Sequence, residues 1–124
     1  MSSIFGIICT GHVNNELLQR KITAMSTAMR HRGPDKSEVV LFNNGAIGIN
    51  CLAVMNTDIQ KTICFNAGKY SVVSGRITNI QEPGLKGERG YDASMIPPLY
   101  EKHGKDFAKK LSGMFGIAVY DSIV

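Results

Sequence analysis

The order of apolar and polar residues predicts a strand followed by a helix at the start of the chain. Residues 3–9 form a short apolar run, which is typical of a strand buried on both faces. From Asn14 onward, apolar residues recur at alternating four- and three-residue spacing, as on the buried stripe of a helix. The stripe consists of Leu18, Ile22, Met25 and Met29. Asn14 is suited to cap this helix, and Gly33-Pro34 is expected to end it.

Two hairpins are predicted next, because runs with strand composition surround two glycine-containing turns. The four strands are predicted at residues 37–42, 46–54, 61–65 and 70–73. In the first turn, Asn43-Asn44-Gly45, the asparagine-glycine pair is suited to positive φ angles. The second turn, Asn66-Ala67-Gly68, has similar turn chemistry.

The remaining sequence predicts a loop, a helix and a last strand. Residues 81–90 have the glycine-rich, charged composition of a loop. Asp92 is suited to cap a following helix, and Pro97-Pro98 in the interior of that helix should kink or shorten it. Residues 114–120 are apolar at nearly every position, as in an inner strand covered on both faces. Together with the earlier elements, these predict an α+β fold.

The length of 124 residues and the composition are those of one globular domain, which we assign to residues 1–124. Hydrophobic residues make up 44% and charged residues 19%, so neither disorder nor a fibrous repeat is predicted. The net charge of +4 is spread along the chain, which argues against a nucleic-acid-binding groove. No apolar run approaches the roughly 20 residues of a membrane span. We therefore expect a cytoplasmic protein that binds neither nucleic acid nor membranes.

The three cysteines, Cys9, Cys51 and Cys64, lie far apart in strand-like stretches. This spacing matches neither a disulfide framework nor a zinc site built from paired cysteines. We expect small, buried side chains with reduced thiols, and we predict neither a metal nor a cofactor.

Three segments stand in the order and spacing of one known family. They are Met1-Ser2-Ser3-Ile4-Phe5-Gly6, then Arg30-His31-Arg32-Gly33-Pro34-Asp35, and finally Tyr100-Glu101-Lys102-His103-Gly104 with Leu111-Ser112-Gly113-Met114-Phe115-Gly116. They resemble the class II glutamine amidotransferases with an N-terminal nucleophile, and the asparagine synthetases in particular. The second segment is identical to that family's hallmark, RHRGPD. The resemblance covers nearly the whole chain, and it implies the αββα sandwich of N-terminal nucleophile hydrolases, shortened at the C-terminus and therefore an incomplete domain.

The resemblance implies a nucleophile at Ser2, where the family has a cysteine exposed by removal of methionine. The free α-amino group of that residue acts as the base in the family. A hydroxyl is a weaker nucleophile than a thiol at neutral pH and depends more on the rest of the site. Ser2 could therefore be a catalytic serine or an ordinary residue after the initiator methionine.

Three further positions correspond to the family's N-G-E segment, which supplies the oxyanion hole and a substrate contact. They are Ser74, Gly75 and Arg76. Ser74 replaces the amide donor, and loss of one such donor typically costs about 100- to 1,000-fold in rate. Arg76 places a positive charge where the family has a carboxylate. Gly75 is retained, either for its backbone N–H or because a turn needs glycine.

The resemblance also assigns glutamine-binding positions to Cys51, Val54 and Asp92. The family has an arginine at the position of Cys51, and a thiol cannot form the same bidentate ion pair with the substrate carboxylate. Asp92 matches the acidic residue that binds the α-amino group in the family, although it could equally be only a helix cap.

These losses favour a pseudoenzyme or interaction module, and they leave an alternative open. The first hypothesis is a degenerate amidotransferase domain that dimerises or docks on a synthetase-like protein. The alternative is an active amidohydrolase that uses Ser2 on glutamine or a related small amide, or the glutaminase part of a longer asparagine-synthetase-like protein. The synthetase domain that binds ATP and activates aspartate in the family has no counterpart in these 124 residues.

Overall fold

The computed structural model describes residues 2–11, 13–51, 63–79 and 92–122. The chain divides into two compact units, residues 1–58 and residues 59–124. Each unit combines one antiparallel three-stranded sheet with helical segments. The predicted α+β class is therefore confirmed.

The first unit contains three strands and one long helix. Its elements are β1 (Ser3–Ile8), α1 (Asn15–Ala28), a 3-10 turn (Arg30–Arg32), β2 (Lys36–Phe42) and β3 (Gly45–Cys51). The strand order is β1-β3-β2, so β3 is the central strand and pairs antiparallel with both neighbours.

Helix α1 begins as predicted, because the Asn14 side chain accepts a hydrogen bond from the Glu16 N–H at 2.8 Å. The helix ends earlier than predicted. It stops at Ala28, and the 3-10 turn Arg30–Arg32 separates it from Gly33. The proline therefore lies beyond the turn instead of ending the helix itself.

One face of the first sheet packs against α1. In this core, Phe5 of β1 and Ala46 of β3 are buried together with Ile22 of the helix. Side chains alternate between faces along a strand, so residues 2, 36 and 51 project from the opposite face. The prediction that β1 is buried on both faces was wrong, since Ile8 is 58% exposed.

The first hairpin is confirmed, but the role predicted for its glycine was wrong. Asn43 and Asn44 form a two-residue turn, and neither they nor Gly45 have a positive φ. Gly45 is the first residue of β3, where an added Cβ would lie 2.1 Å from the Ile7 carbonyl oxygen. The glycine is needed for the close approach of two strands. The second turn does use positive φ, at 52° for Ala67 and 78° for Gly68.

The second unit contains the other three strands. Its elements are β4 (Ile63–Asn66), β5 (Lys69–Ile77), a 3-10 turn (Asp92–Met95), α2 (Ile96–His103), a second 3-10 segment (Gly104–Lys110) and β6 (Gly113–Asp121). The strand order is β4-β5-β6, and both pairs are antiparallel. The loop predicted at residues 81–90 lies outside the described residues.

Helix α2 begins later than predicted, at Ile96. Pro97 and Pro98 therefore lie in its first turn. Backbone N–H groups in a first turn make no hydrogen bond within the helix, so the prolines, which lack this group, cost the helix no hydrogen bond. The prolines start this helix instead of kinking it. Of the two predicted outcomes, a kinked or a shortened helix, the structure has the shortened one, because the 3-10 turn Asp92–Met95 occupies the predicted first turn.

The core of the second unit lies between α2 and one face of its sheet. The buried residues are Ile77, Met95, Ile96, Leu99 and Leu111. The prediction that the last strand is covered on both faces was wrong at its start, since Met114 is 86% exposed. No helix in the described ranges is long and apolar enough to cross a membrane.

Candidate functional site

Candidate residues occur in both units. In the first unit, the central strand β3 ends at Cys51. A hydrogen bond joins the hydroxyl of Ser2 to the thiol of Cys51. The structure thus brings together the predicted nucleophile position and the position where the family has its arginine.

Lys36 completes a row of polar side chains that crosses the three strands at one end of the sheet. It is the direct cross-strand partner of Cys51 on β2. On the other side of β3, Ser3 pairs with Asn50, so Ser2 comes next to Cys51. The side chains of Ser2, Cys51 and Lys36 therefore project from the same face, opposite the helix.

The Cys51 thiol is held in its neutral form. Its side chain is only 3% exposed, and burial raises the pKa of the thiol above its ordinary value of 9.0. The Ser2 hydroxyl and the positive charge of Lys36 both lower that pKa, while the negative charge of Glu38 raises it. Burial has the largest influence, so Cys51 remains a thiol at neutral pH.

The segment that carries the hallmark motif lies directly against the end of β3. A Cβ added to Gly33 would lie 2.4 Å from the Asn50 carbonyl oxygen, so only glycine permits this contact. The Asp35 N–H donates a hydrogen bond to the Cys51 carbonyl at 3.0 Å. These backbone contacts fix the position of Lys36, which follows immediately in the sequence. His31 is exposed in the 3-10 turn.

A buried asparagine connects the same region to the helix. Asn50 is fully buried, and its side-chain oxygen accepts hydrogen bonds from the hydroxyls of Ser26 at 2.8 Å and Ser37 at 2.7 Å. Its side-chain amide donates to the Ser26 carbonyl at 2.8 Å. These three bonds join α1, β2 and β3, and they engage the side-chain oxygen and nitrogen of Asn50 on the face that the helix covers.

In the second unit, Ser74 and Arg76 lie on β5, two residues apart. They therefore project from the same face of the sheet. Their cross-strand partners on β6 are Gly116 for Ser74 and Met114 for Arg76. Ile77 points the other way, into the core beneath α2. As in the first unit, the candidate side chains lie on the sheet face that the helix does not cover. Arg76 is exposed and Ser74 is half-buried.

Gly75 has a conformation that requires glycine, although within a strand and not in a turn. Its φ is 104°, and an added Cβ would lie 2.1 Å from the Met114 carbonyl oxygen. Glycine is needed at this position, but the turn predicted as the reason was wrong, since Gly75 lies inside β5. A substituted Gly75 would displace β6.

Asp92 is attached to the same strand. Its carboxylate accepts a hydrogen bond from the Ile77 N–H at 3.0 Å. Ile77 is the residue that follows Arg76 in β5. Next to it, the Ser71 hydroxyl donates to the Ala93 carbonyl at 2.9 Å. The structure therefore brings Asp92 close to the candidate segment of β5. Whether Asp92 binds an amino group stays a prediction.

One predicted binding position, Val54, lies outside the described residues. Within the described residues, no group of three or more His, Cys, Asp and Glu side chains is arranged to hold a metal. All three cysteines are free thiols, with Cys51 and Cys64 buried and Cys9 half-buried.

Comparison with known proteins identifies the class. A family model for the glutamine amidotransferase domain matches residues 1–124. Asparagine synthetase B [glutamine-hydrolyzing] of Escherichia coli (strain K12) is 35% identical over 132 residues, which cover 98% of this chain and 23% of that protein. An asparagine synthetase [glutamine-hydrolyzing] of Brassica oleracea is 33% identical over 109 residues, covering 82% of this chain and 19% of the relative.

A third relative is the putative asparagine synthetase [glutamine-hydrolyzing] 2 of Methanocaldococcus jannaschii, which is 31% identical over 146 residues. That alignment covers 98% of this chain and 28% of the relative. The chain thus spans 19% to 28% of the length of these three proteins. It belongs to the glutamine amidotransferase domain family, as a relative of the asparagine synthetases.

Sequence reasoning missed Lys36, whose strand was predicted to begin one residue later. The cation becomes visible only through the pairing of β2 with β3, which places it beside Cys51. Its position directly after the hallmark motif was a usable signal, because that motif connects the helix to the strand beside the candidate position.

Proposed function

We propose that this chain is a class II glutamine amidotransferase domain that has lost effective glutamine hydrolysis and acts as a non-catalytic module. Within this proposal the fold is the αββα sandwich of N-terminal nucleophile hydrolases. Each unit supplies one sheet with a helix on one face, which are the layers that such a fold requires. The free thiols suit the cytoplasm, where we place the protein.

The observation that carries the proposal is a retained backbone with altered chemical groups. Gly33 and Gly75 make the close backbone contacts that only glycine allows. The positions that the resemblance assigns to the nucleophile, the oxyanion donor and a substrate contact instead hold Ser2, Ser74 and Arg76. Loss of an oxyanion donor alone typically costs about 100- to 1,000-fold in rate.

Cys51 does not replace the missing nucleophile, although its sulfur lies beside Ser2. A thiol attacks as its thiolate, and burial raises the pKa of Cys51 above the ordinary value. At neutral pH the side chain is therefore a weak nucleophile. The thiol lost from position 2 has not been recovered at position 51.

Ammonia release from glutamine tests the proposal. We expect the protein to release no more ammonia than its Ser2→Ala variant under the same conditions. Clear turnover by the unaltered protein that disappears in Ser2→Ala would overturn the proposal. Intact mass must be measured in parallel, because only a protein without Met1 has Ser2 as its N-terminal residue.

A second candidate function is an N-terminal-serine amidohydrolase that acts on glutamine or another small amide. The hydrogen bond between Ser2 and Cys51 favours it, because the serine hydroxyl is held in place on the sheet face where the family's nucleophile is expected. An electrophilic glutamine analogue should then form an adduct on Ser2, detectable by peptide mass spectrometry. A retained Met1, or no adduct, would exclude this candidate.

The partner that we propose is a synthetase-like protein or domain. The alignments cover 23% of the Escherichia coli relative and 19% of the Brassica oleracea relative. Each of these proteins is therefore about four to five times longer than the part that matches this chain. Homodimerisation is the alternative. Size-exclusion chromatography with light scattering would distinguish a dimer from a monomer, and co-purification with a synthetase domain would support the first partner.

A further inference from the structure

Lys36 and Cys51 are held side by side by the first sheet. They are direct partners in the antiparallel pairing of β2 and β3, a geometry that places Cβ atoms about 5 Å apart. Asp35 donates its N–H to the Cys51 carbonyl at 3.0 Å, and this bond fixes the backbone immediately before Lys36. The position of the lysine is therefore set by the fold.

The side chain of Lys36 projects from the same face as Ser2 and Cys51. The helix covers the other face, where Val39 and Leu41 of β2 pack on the core containing Ile22. Lys36 differs from these by an odd number of residues, so it points away from the helix. Its long, flexible side chain lets the ammonium group reach the space above the Cys51 side chain, on the sheet face that the helix does not cover.

Two opposite charges border this row. The positive charge of Lys36 and the negative charge of Glu38 both act electrostatically on the Cys51 sulfur. Glu38 lies two residues after Lys36 on β2 and faces the same way. A free α-amino acid carries one carboxylate and one ammonium, so a cation and an anion on one face suit such a ligand.

We propose that Lys36 binds the α-carboxylate of an amino acid ligand, in the place of the arginine that position 51 lacks. The inference rests on the proposed function, a non-catalytic domain of this family, and adds to it that the domain keeps a binding site for glutamine or a related α-amino acid. A lysine offers a point charge instead of a planar fork, so binding is weaker and more sensitive to salt than a bidentate arginine contact. Hydrolysis is not required for this role.

Calorimetric titration with two ligands tests the inference. The ligands are glutamine and its α-carboxamide, which lacks the carboxylate but keeps the amino group and the side-chain amide. We expect Lys36→Met to weaken glutamine binding by about 10- to 100-fold, as for loss of a charged hydrogen bond, while α-carboxamide binding changes little. Lys36→Arg should preserve glutamine binding.

A matched control is Lys102→Met, which removes an exposed lysine from α2 in the other unit. It should leave the affinity for both ligands unchanged, and circular dichroism should show that all variants are folded. Equal losses for both ligands in Lys36→Met, no loss for glutamine, or no binding of glutamine by the unaltered protein would each overturn the inference. Ammonia release in the same samples would instead contradict the proposed loss of hydrolysis and leave the role of Lys36 intact.

Discussion

The two units differ in how they have changed the positions that the resemblance assigns to glutamine. In the first unit, the arginine position holds Cys51, yet a cation remains beside it at Lys36. In the second unit, Arg76 reverses the charge expected at its position, whereas Asp92 keeps the expected one. Under the proposed role of Lys36, the first change relocates a charge, whereas the second inverts one. Ligand binding and bond cleavage need not have been lost together.

The units also differ in how they hold their candidate strands. The first uses a buried asparagine and ordinary backbone angles, since Gly33 has a φ of −166°. The second uses backbone that only glycine adopts, with a φ of 104° at Gly75 and 140° at Gly113. Side-chain hydrogen bonds support the candidate strands of both units, and positive-φ glycines are an additional feature of the second.

The largest expected effect is that of Gly75→Ala. The substitution combines an unfavourable positive φ with a Cβ only 2.1 Å from the Met114 carbonyl oxygen. We expect the free energy of unfolding to fall by about 2–5 kcal/mol, measured by urea denaturation. Gly11→Ala is the control, because its φ of 86° is also positive but nothing lies within 4 Å. Equal losses in the two variants would contradict the steric account.

Asn50→Ala should have the next largest effect. It removes three hydrogen bonds made by a fully buried side chain, two with half-buried Ser26 and one with Ser37, and leaves a cavity between α1 and β3. We expect a loss of about 2–4 kcal/mol in the free energy of unfolding. Asn15→Ala, at an exposed position of α1, should change it by less than about 0.5 kcal/mol. If both substitutions were equally mild, the buried asparagine would not be a main support of the first unit.

The smallest effect concerns pH and the thiol of Cys51. Its folded-state pKa is raised by burial, so the unfolded chain releases this proton at a lower pH than the folded protein does. The thiol's contribution to stability is therefore complete below the ordinary value of 9.0 and is lost as the pH rises through the raised pKa. For one proton the slope is at most about 1.4 kcal/mol per pH unit.

Thermal unfolding of the unaltered protein and of Cys51→Ala, compared between pH 8 and pH 10.5, measures this contribution. These pH values were chosen to span about two units around an ordinary thiol pKa. The unaltered protein should lose more stability over this range than the variant. Parallel curves would contradict the raised pKa of the Cys51 thiol in the folded protein.

Local sequence chemistry predicted most of the elements, because the relevant interactions are between near neighbours. The Asn14 cap and the turn at Ala67-Gly68 follow from such interactions, and both are confirmed. The start of α2 was wrong, since the effect of Pro97-Pro98 depends on where the helix begins, which a preceding 3-10 turn decides.

The candidate site was only partly accessible from sequence, since its positions came from motif spacing. The contact between Ser2 and Cys51, and the placement of Lys36, depend on strand register across three separate segments. The two-residue turn Asn43-Asn44 fixes the register of β2 with β3, whereas nothing local in the sequence specifies the register of β1 with β3. The attachment of Asp92 to the N–H of Ile77 likewise connects residues 15 positions apart.

Ammonia release from glutamine by a repaired variant tests the central claim most directly. Ser2→Cys, Ser74→Asn and Arg76→Glu, combined in one protein with its N-terminal methionine removed, restore the family's nucleophile, its amide donor and its acidic residue, and leave Lys36 and Cys51 unchanged. We expect this variant to release ammonia at least about 100-fold faster than the unaltered protein, which should not exceed Ser2→Ala. A folded repaired variant that remained as inactive as the unaltered protein, or an unaltered protein as active as the repaired one, would contradict the account.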